Sequence, residues 1–179
     1  LGIPVAIGFL EVAGMPYVAG LVKNLYVGRT FIQPTPAMLE SGIRMKLTPL
    51  KDVLLVKRVI IIDDSIVRGT TSRKLVKSLY EAGATEVHMR ISSPPVTHPC
   101  FYGIDTDSQD QLIAATKSVK EITKHLEVDS LAYLSWEGML QETKQDINSF
   151  CSACFTGDYP VPVPERLKRS KLILEEATV

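Results

Sequence analysis

Two adjacent carboxylates followed by a hydroxyl-rich loop are the residues with the clearest chemical potential in this sequence. Asp63 and Asp64 come directly after the apolar run Val59–Ile62, and residues 65–72 behind them hold a glycine and four hydroxyl side chains. Backbone N–H groups at the start of a helix donate readily to a phosphate. Paired carboxylates accept from a vicinal diol and can hold a divalent cation. The pattern therefore predicts a cradle for a phosphorylated sugar, in which the acids bind ribose hydroxyls and the loop binds the 5′-phosphate.

The residues around this loop have the pattern of a β-α-β unit. The β-branched run before the acids suits a strand that is buried on both faces of a parallel sheet. A helical pattern begins near Ser72 and ends at Gly83, and a second apolar strand is predicted at residues 86–91. One apolar stripe follows the helix: Leu75, Val76, Leu79 and Ala82. Parallel sheets of this kind bind ligands beyond the carboxyl ends of their strands, where the acids lie.

The stretch Asp-Asp-Ser-Ile-Val-Arg-Gly-Thr-Thr at residues 63–71 resembles the phosphoribosyl-pyrophosphate (PRPP) signature of the type I phosphoribosyltransferases. It lacks the Gly-Lys-Ser/Thr ending of a Walker A loop and the Gly-x-Gly-x-x-Gly of dinucleotide sites. The order of its residues most resembles that in the amidophosphoribosyltransferases, a glutamine-dependent family. The similarity extends from about Gly2 to Pro160. The resemblance implies an α/β fold of the type I phosphoribosyltransferase kind, a parallel sheet flanked by helices.

The reaction that this resemblance implies is attack of ammonia on C1 of PRPP, giving 5-phosphoribosylamine and pyrophosphate in the first committed step of purine synthesis. Asp63 and Asp64 would hold the ribose hydroxyls and their Mg²⁺. The other substrate-binding residues form the loop that grips the 5′-phosphate: Ser65, Ile66, Val67, Arg68, Gly69, Thr70, Thr71 and Ser72. Because an oxocarbenium-like transition state needs little covalent help, positioning and electrostatics should dominate catalysis.

A second segment, which runs from Leu21 through Pro34 and on to Pro49, resembles the flexible loop of this family, which folds over PRPP and joins the two active sites. By that resemblance Lys46 reaches the pyrophosphate, while Tyr26 and Arg29 couple the loop to the glutaminase side. A long connection of this kind is usually a functional lid or a disordered segment. The alternative is that its cations are solvated loop side chains, as most surface lysines and arginines are.

The first residues of the chain predict a short helix over Pro4–Ala13, closed by Gly14 and apolar nearly all round, hence buried. They resemble the family's pyrophosphate loop, with the pattern Asp-Ser-Gly-x-Pro-Ala-Ala, except that Leu1 stands where the family has a serine. Since the chain does not begin with methionine, we expect an N-terminally truncated chain without the glutaminase domain, able to use free ammonia at most. The predicted domains are residues 1–158, the phosphoribosyltransferase domain, and residues 159–179, a C-terminal extension.

The remaining elements are predicted from local signals. Residues 50–57 predict a helical or turn approach to the central strand, and three prolines exclude regular structure in the loop after residue 91. A capping box opens a helix at Ser118–Glu121. Residues 129–135 predict another buried strand, and a short helix follows from Trp136.

Three cysteines are candidate metal ligands: Cys100, Cys151 and Cys154. The spacing of the last two lets both thiols reach one metal ion or cluster, although zinc, an iron–sulfur cluster and a redox pair all remain possible from spacing alone. A redox pair usually opens a helix after a strand, whereas a turn is expected after Cys154. One branch of the amidophosphoribosyltransferases binds a [4Fe–4S] cluster through four cysteines in similar contexts. The resemblance therefore implies three ligands of a structural cluster here, with the fourth upstream of Leu1.

Composition sets the class of protein and limits its partners. The chain has 179 residues, of which 45% are hydrophobic and 22% charged, and its formal net charge is zero. This balance gives no electrostatic case for nucleic acid or a membrane surface, and no apolar run approaches the length of a membrane span. An odd number of cysteines argues against a disulfide framework, and we predict a cytoplasmic protein. The resemblance implies purine nucleotides as inhibitors at the same pockets, and a homo-oligomer.

Two other functions stay open on the sequence alone. A stand-alone salvage phosphoribosyltransferase would share the PRPP signature but would not need the cysteines. A non-catalytic PRPP-binding regulatory module is a different class of protein, which Leu1 at the serine position favours. The three histidines are not clustered in the sequence, so surface or hydrogen-bonded roles are expected for them rather than metal ligation.

Overall fold

The computed structural model describes residues 2–26, 47–104, 106 and 108–164. Its helices are α1 (Gly2–Ala13), α2 (Lys51–Leu54), α3 (Thr70–Glu81), α4 (Ile113–Thr116), α5 (Val119–Leu126), α6 (Trp136–Thr143) and α7 (Ala153–Thr156). Its strands are β1 (Leu21–Lys23), β2 (Leu47–Pro49), β3 (Arg58–Asp63), β4 (Glu86–Ile91) and β5 (Ser130–Tyr133). Short 3₁₀ turns occur at Gln109–Gln111 and Ile147–Ser149.

Three parallel strands form the main sheet, in the order β3-β4-β5. Strand β3 pairs with β4 from Arg58 opposite Glu86 to Asp63 opposite Ile91. Helix α3 connects the first two strands and α5 precedes the third, as parallel pairing requires a crossover between strands. This arrangement confirms the predicted β-α-β unit and the α/β fold with a parallel sheet flanked by helices.

The hydrophobic core lies on the face of this sheet that α3 and α5 cover. The four residues of the predicted helical stripe are at most 6% exposed, which confirms the stripe. Strand β4 contributes Val87, Met89 and Ile91, and α5 contributes Ile122 and Leu126. Burying a large apolar side chain is worth about 1.5–3 kcal/mol, so this packing of helices on strands is the main source of stability in the described residues.

The opposite face of the sheet is more open than the sequence predicts. The side chains of β4 alternate, and the residues between its core positions, Glu86, His88 and Arg90, are polar and half-buried. Glu86 accepts a hydrogen bond from Arg58 Nε (2.7 Å), and no residue of β3 is fully buried. The expectation of a strand buried on both faces is therefore wrong, because β3 is the edge strand of the described sheet and each of its residues keeps some solvent exposure.

Helix α1 forms as predicted, but it is not buried. It ends at Gly14, whose φ of +63° suits a helix C-terminus. Ile3, Ile7 and Val12 are 61%, 47% and 92% exposed, so the predicted burial is wrong. An apolar pattern does not by itself supply a covering surface, and among the described residues α1 packs mainly on β3. None of the described helices is long and apolar enough to cross a membrane.

A second, smaller sheet is absent from the sequence predictions. Strands β1 and β2 pair antiparallel, with Leu21 opposite Pro49 and Lys23 opposite Leu47. Each strand has only three residues, too few for an alternating pattern to be recognised in the sequence. The pairing brings the two ends of the connection 24–46 next to each other.

The ends of two helices follow their predicted signals. Helix α3 ends before Gly83, whose φ is +100° and whose N–H donates to the Tyr80 carbonyl (2.9 Å). At the start of α5, the Ser118 hydroxyl accepts from the N–H of Glu121, and the Glu121 carboxylate accepts from the N–H of Ser118 (2.8 Å). The predicted capping box is therefore confirmed. Helix α3 begins at Thr70, slightly earlier than predicted.

Replacing Ser118 by alanine should lower the free energy of unfolding by about 1 kcal/mol, since loss of a capping hydroxyl leaves helix N–H groups without a partner. Chemical denaturation followed by circular dichroism measures this difference. Ser108→Ala is the matched control, because Ser108 precedes a 3₁₀ turn that its side chain does not cap. Equal stability of the two variants would contradict the capping role.

Candidate active site

The two adjacent acids lie at the carboxyl edge of the main sheet, where β3 ends. The backbone carbonyl of Asp63 accepts a hydrogen bond from the N–H of Ser92 (3.0 Å), the residue after β4. The Asp63 carboxylate accepts from the N–H of Asp64 (3.0 Å), and Asp64 itself is exposed. The sheet thus fixes Asp63, while Asp64 lies beside it in solvent, as a site for hydroxyl groups or a cation requires.

Burial makes the Asp63 carboxyl a weaker acid than usual. Its pKa is raised from the ordinary 3.8 to about 6, mainly by burial and also by a hydrogen bond with the Asp64 side chain, although the Asp64 N–H opposes the shift. Adjacent carboxylates repel each other when both are ionised, and a cation or a pair of hydroxyl donors would relieve that repulsion.

An apolar side chain and a backbone hydrogen bond anchor the loop between the acids and α3. Ile66 is 1% exposed and belongs to the hydrophobic core, so only its backbone can face a ligand. The Val67 carbonyl accepts from the N–H of Ile113 (2.9 Å), at the start of α4. Ser65 is half-buried and Arg68 is exposed. The loop that the sequence assigns to phosphate binding is therefore anchored at its centre.

Gly69 makes the turn into α3 possible. Its φ is +78°, a left-handed conformation that other residues rarely adopt. A Cβ at this position would lie 2.9 Å from Ile113 Cδ1 and 3.4 Å from Leu126 Cδ2, which is closer than carbon atoms normally pack. No described side chain caps the start of α3. The first N–H groups of this 12-residue helix are therefore available to an anion.

The three hydroxyl side chains at the start of α3 differ in accessibility. Thr70 and Thr71 are exposed, whereas Ser72 is only 6% exposed. The two threonines can therefore donate to a ligand, while the side chain of Ser72 lies within the protein body. One edge of the sheet thus offers carboxylates, helix N–H groups and two accessible hydroxyls within a short stretch of chain.

Two of the three residues predicted for the lid lie outside the described residues: Arg29 and Lys46. The third, Tyr26, is fully exposed just after β1, and its N–H donates to Asn24 Oδ1 (3.0 Å). The pairing of β1 with β2 fixes both ends of the connection that contains these residues. The structure therefore places the base of the predicted lid, and the contacts of its cations stay a prediction.

The segment that holds Cys151 and Cys154 packs against the proline-rich loop that holds Cys100. The Cys154 carbonyl accepts hydrogen bonds from the N–H groups of Thr97 (2.9 Å) and His98 (3.0 Å). Helix α7, a single turn, begins between the two cysteines of the pair. The expectation of a plain turn after Cys154 is therefore wrong, because the local hydrogen bonds close a helical turn before the chain reverses.

All three cysteines are free thiols. The Cys100 N–H donates to Thr106 Oγ1 (2.6 Å), and the Tyr102 N–H donates to Cys100 Sγ (3.4 Å). Burial is the main cause that raises the pKa of Cys154, and interaction with Cys100 and Cys151 raises it further. In the described part of the chain, no three His, Cys, Asp or Glu side chains are placed to hold a single metal ion.

The sequence predictions missed the contacts that attach the C-terminal segment to this loop. The Tyr159 hydroxyl donates to the Pro99 carbonyl (2.7 Å), and the Tyr102 hydroxyl donates to the Val161 carbonyl (2.6 Å). The Tyr159 ring also lies 5.3 Å from the Phe101 ring and 6.0 Å from the Tyr102 ring. These contacts could have been predicted from the aromatic residues next to both cysteine segments, since tyrosines that are buried usually form hydrogen bonds through their hydroxyls.

Comparison with known proteins finds relatives of nearly the whole chain, although none of the protein-family models matches it. An amidophosphoribosyltransferase of Synechococcus elongatus is 72% identical over 177 residues, which cover 99% of this chain and 36% of that relative. The chloroplastic amidophosphoribosyltransferase 2 of Arabidopsis thaliana is 48% identical over 179 residues, 99% of this chain and 32% of that relative. The chain therefore spans about a third of the length of the curated relatives it matches.

A solved structure supports the same relationship. The glutamine PRPP amidotransferase from Bacillus subtilis, in complex with ADP and GMP, superposes with a TM-score of 0.79 at 53% identity. The match covers 91% of this chain and 37% of that one. The parallel sheet and its helices are thus similar to those of a solved protein. Over nearly its full length, the chain is similar to about a third of the length of amidophosphoribosyltransferases and of a PRPP amidotransferase of solved structure.

Proposed function

We propose that the protein transfers ammonia, with glutamine as its source, to C1 of PRPP, and so forms 5-phosphoribosylamine and pyrophosphate in purine synthesis. The observation that carries this proposal is the position of Asp63 and Asp64 beside the uncapped start of α3, at one edge of the sheet. Carboxylates suit the ribose hydroxyls, and a helix start suits the phosphate. The 72% identity with a curated amidophosphoribosyltransferase supports the same reaction.

In this proposal the two acids orient the ribose and its cation. Asp63 and Asp64 accept hydrogen bonds from the ribose hydroxyls, and their charges favour a divalent cation at the same place. Paired carboxylates fit Mg²⁺, which prefers oxygen ligands and keeps several waters. When bound, Mg²⁺ would neutralise part of the charge on the leaving pyrophosphate. Because Asp63 is held by the sheet, the ribose would be fixed relative to the rest of the site.

The 5′-phosphate is proposed to bind at the start of α3. The first N–H groups of the helix and the hydroxyls of Thr70 and Thr71 donate to its oxygens, and the helix dipole favours its charge. Gly69 lets the backbone come close, and Ser72 contributes through its N–H because its side chain is buried. With the phosphate and the ribose both fixed, C1 is held in position for attack, which lowers the entropic part of the barrier.

The connection between β1 and β2 is proposed to close over the bound substrate. Lys46 would stabilise the negative charge that develops on pyrophosphate as it leaves. Tyr26 and Arg29 would couple the closed lid to the part of the enzyme that supplies ammonia. The paired strands at its base and the full exposure of Tyr26 support this role, since a lid needs fixed ends and an accessible surface.

We further propose that Cys100, Cys151 and Cys154 bind a [4Fe–4S] cluster together with a fourth cysteine supplied from elsewhere in the protein. Thiolates are the usual ligands of such clusters, and an N–H directed at a ligating sulfur is a typical second contact, as Tyr102 provides here. The two segments that hold these thiols are joined by hydrogen bonds from the N–H groups of Thr97 and His98 to the Cys154 carbonyl. The role proposed for the cluster is structural.

The inhibitors, location, oligomeric state and domain boundary of the protein are also proposals. Purine nucleotides are proposed as inhibitors that overlap the PRPP cradle, and the relative solved in complex with ADP and GMP supports nucleotide binding. A cytoplasmic location and a homo-oligomer remain predictions, and one relative is named as chloroplastic. The boundary between residues 1–158 and 159–179 is likewise proposed, and Tyr159 bonds across it to Pro99.

The role of the acids can be tested by replacing both of them. Asp63→Asn with Asp64→Asn should weaken PRPP binding by at least about 100-fold, because two charge-assisted hydrogen bonds are lost. Calorimetric titration of the intact protein with PRPP and Mg²⁺ measures the affinity. Asp52→Asn with Asp110→Asn is the matched control, since both are exposed acids and the charge change is equal. Unchanged affinity in the first variant would refute the cradle.

The reaction itself is tested by pyrophosphate release from PRPP, Mg²⁺ and ammonia. The unaltered intact protein should release pyrophosphate, and the variant without the two acids should not. Binding of PRPP without release would instead support the non-catalytic regulatory module.

The acidity of Asp63 gives a second, independent test. Its carboxyl ¹³C chemical shift should titrate with a pKa of about 6. In Asp64→Asn the pKa should fall, because the neighbouring carboxyl is removed, but it should stay above 3.8 because burial is the larger cause. Since the metal and the proton compete for the carboxylate, saturating Mg²⁺ should also lower this pKa, and Mg²⁺ affinity should increase as the pH rises through about 6. No response to Mg²⁺ would contradict a metal role for Asp63.

The proposed [4Fe–4S] cluster can be tested by measuring the iron and labile sulfide content of the protein. The intact protein purified without oxygen should contain iron and labile sulfide, and Cys154→Ser should lose both because a ligand is missing. Ser152→Ala, between the paired cysteines, is the control and should keep them. Elemental analysis and visible absorbance measure the content, and far-ultraviolet circular dichroism shows whether the variants are folded. Iron-free unaltered protein would remove this proposal.

A further inference from the structure

A cavity of about 330 Å³ lies between α3, β2 and the start of α2. Three lysines line it: Lys51, Lys74 and Lys77. Glu81 is the one carboxylate among its described lining residues, and none of the residues 63–72 of the PRPP cradle contributes to it. The cavity is therefore separate from the site proposed above, although it shares α3 with that site.

The positive charges around this cavity are poorly compensated. The Lys77 Nζ is 4.0 Å from the Glu81 carboxylate, at the outer limit of an ion pair. Among the described residues, neither Lys51 nor Lys74 has a carboxylate within ion-pairing distance. Three ammonium groups around one concave surface repel each other and attract anions. The charge of the lining therefore favours an anionic occupant.

The floor of the cavity is apolar. Leu75 and Ala82 are 6% and 5% exposed, and Leu47 and Pro49 of β2 form the opposite side. The Ser78 hydroxyl donates to the Leu75 carbonyl (2.7 Å), so its hydrogen is already used. A bare inorganic anion would leave the apolar wall unmatched, whereas small-molecule sites of roughly 300–1,000 Å³ usually combine apolar walls with a few charged groups.

We propose that this cavity is a second ligand site, which binds a phosphomonoester that carries a compact aromatic group. The phosphate lies among Lys51, Lys74 and Lys77, and the aromatic group packs on Leu75 and Ala82. Because both sites share α3, an occupant of the cavity contacts the helix whose first turn forms the proposed phosphate site. This inference is independent of the PRPP reaction, since it uses neither the acids nor the loop before α3.

Phenyl phosphate is a suitable probe, because it has a phosphate and an aromatic ring but no ribose hydroxyls. Calorimetric titration of the intact protein, with Mg²⁺ and PRPP at saturation to fill the cradle, should show binding of phenyl phosphate that is tighter than that of inorganic phosphate. Lys74→Gln with Lys77→Gln should weaken this binding about five- to thirtyfold, the range expected for two exposed charge pairs.

Lys120→Gln with Lys124→Gln is the matched control, since these exposed lysines lie on α5 and the charge change is equal. The control should bind phenyl phosphate like the unaltered protein. When Lys74→Gln and Lys77→Gln are added to Asp63→Asn with Asp64→Asn, phenyl phosphate binding should weaken as it does in the protein with both acids, so failure of the PRPP proposal is distinguishable from failure of this one. Equal losses in both lysine variants, unchanged affinity in Lys74→Gln with Lys77→Gln, or no binding at millimolar concentrations would overturn the proposal.

Discussion

The contact between the turn at Gly69 and the side chain of Ile113 is the constraint on which the rest of the site depends. The left-handed backbone at residue 69 turns the chain from the loop into α3, and Ile113 occupies the space that a Cβ would need. The N–H of Ile113 also holds the Val67 carbonyl (2.9 Å). The loop therefore takes its shape from a helix much later in the chain. A local motif supplies the chemistry, and tertiary packing supplies its geometry.

At the same edge of the sheet lie acids that attract positive charge and a helix start that attracts negative charge. Burial of Asp63, together with the neighbouring Asp64, raises the pKa of Asp63, so that ionisation of both acids is unfavourable. The start of α3 has N–H donors that no described side chain caps. A bare phosphate would satisfy only the helix, and a free diol only the acids. A ligand with hydroxyls at one end and a phosphate at the other would satisfy both, which is the physical reason for proposing a phosphorylated sugar at this site.

Most of the sheet and its helices could be predicted because their signals are local. The stripe of α3, the αL residue at Gly83 and the capping box at Ser118 all depend on neighbours in the sequence. The parts that could not be predicted depend on distant partners. Nothing in the sequence indicates that Ile113 contacts the loop. Ser72 has the same signal as any hydroxyl residue at a helix start, and only the fold shows that it is buried. The three-residue strands β1 and β2 are too short to show a periodic pattern. The apolar pattern of α1 predicts a helix but does not specify which surface would cover it.

The proline-rich loop and the C-terminal cysteine segment are joined independently of their thiols. The Cys154 carbonyl accepts from two backbone N–H groups, and Tyr102 and Tyr159 bind backbone carbonyls across the two segments. These hydrogen bonds bring Cys100 and Cys154 towards each other as a consequence of folding. Folding would already have restricted the conformations of these cysteines. Binding of a cluster there would therefore cost little further conformational entropy. Its contribution would then come from the metal–sulfur bonds themselves, unlike that of structural zinc in small domains that are unfolded without their metal.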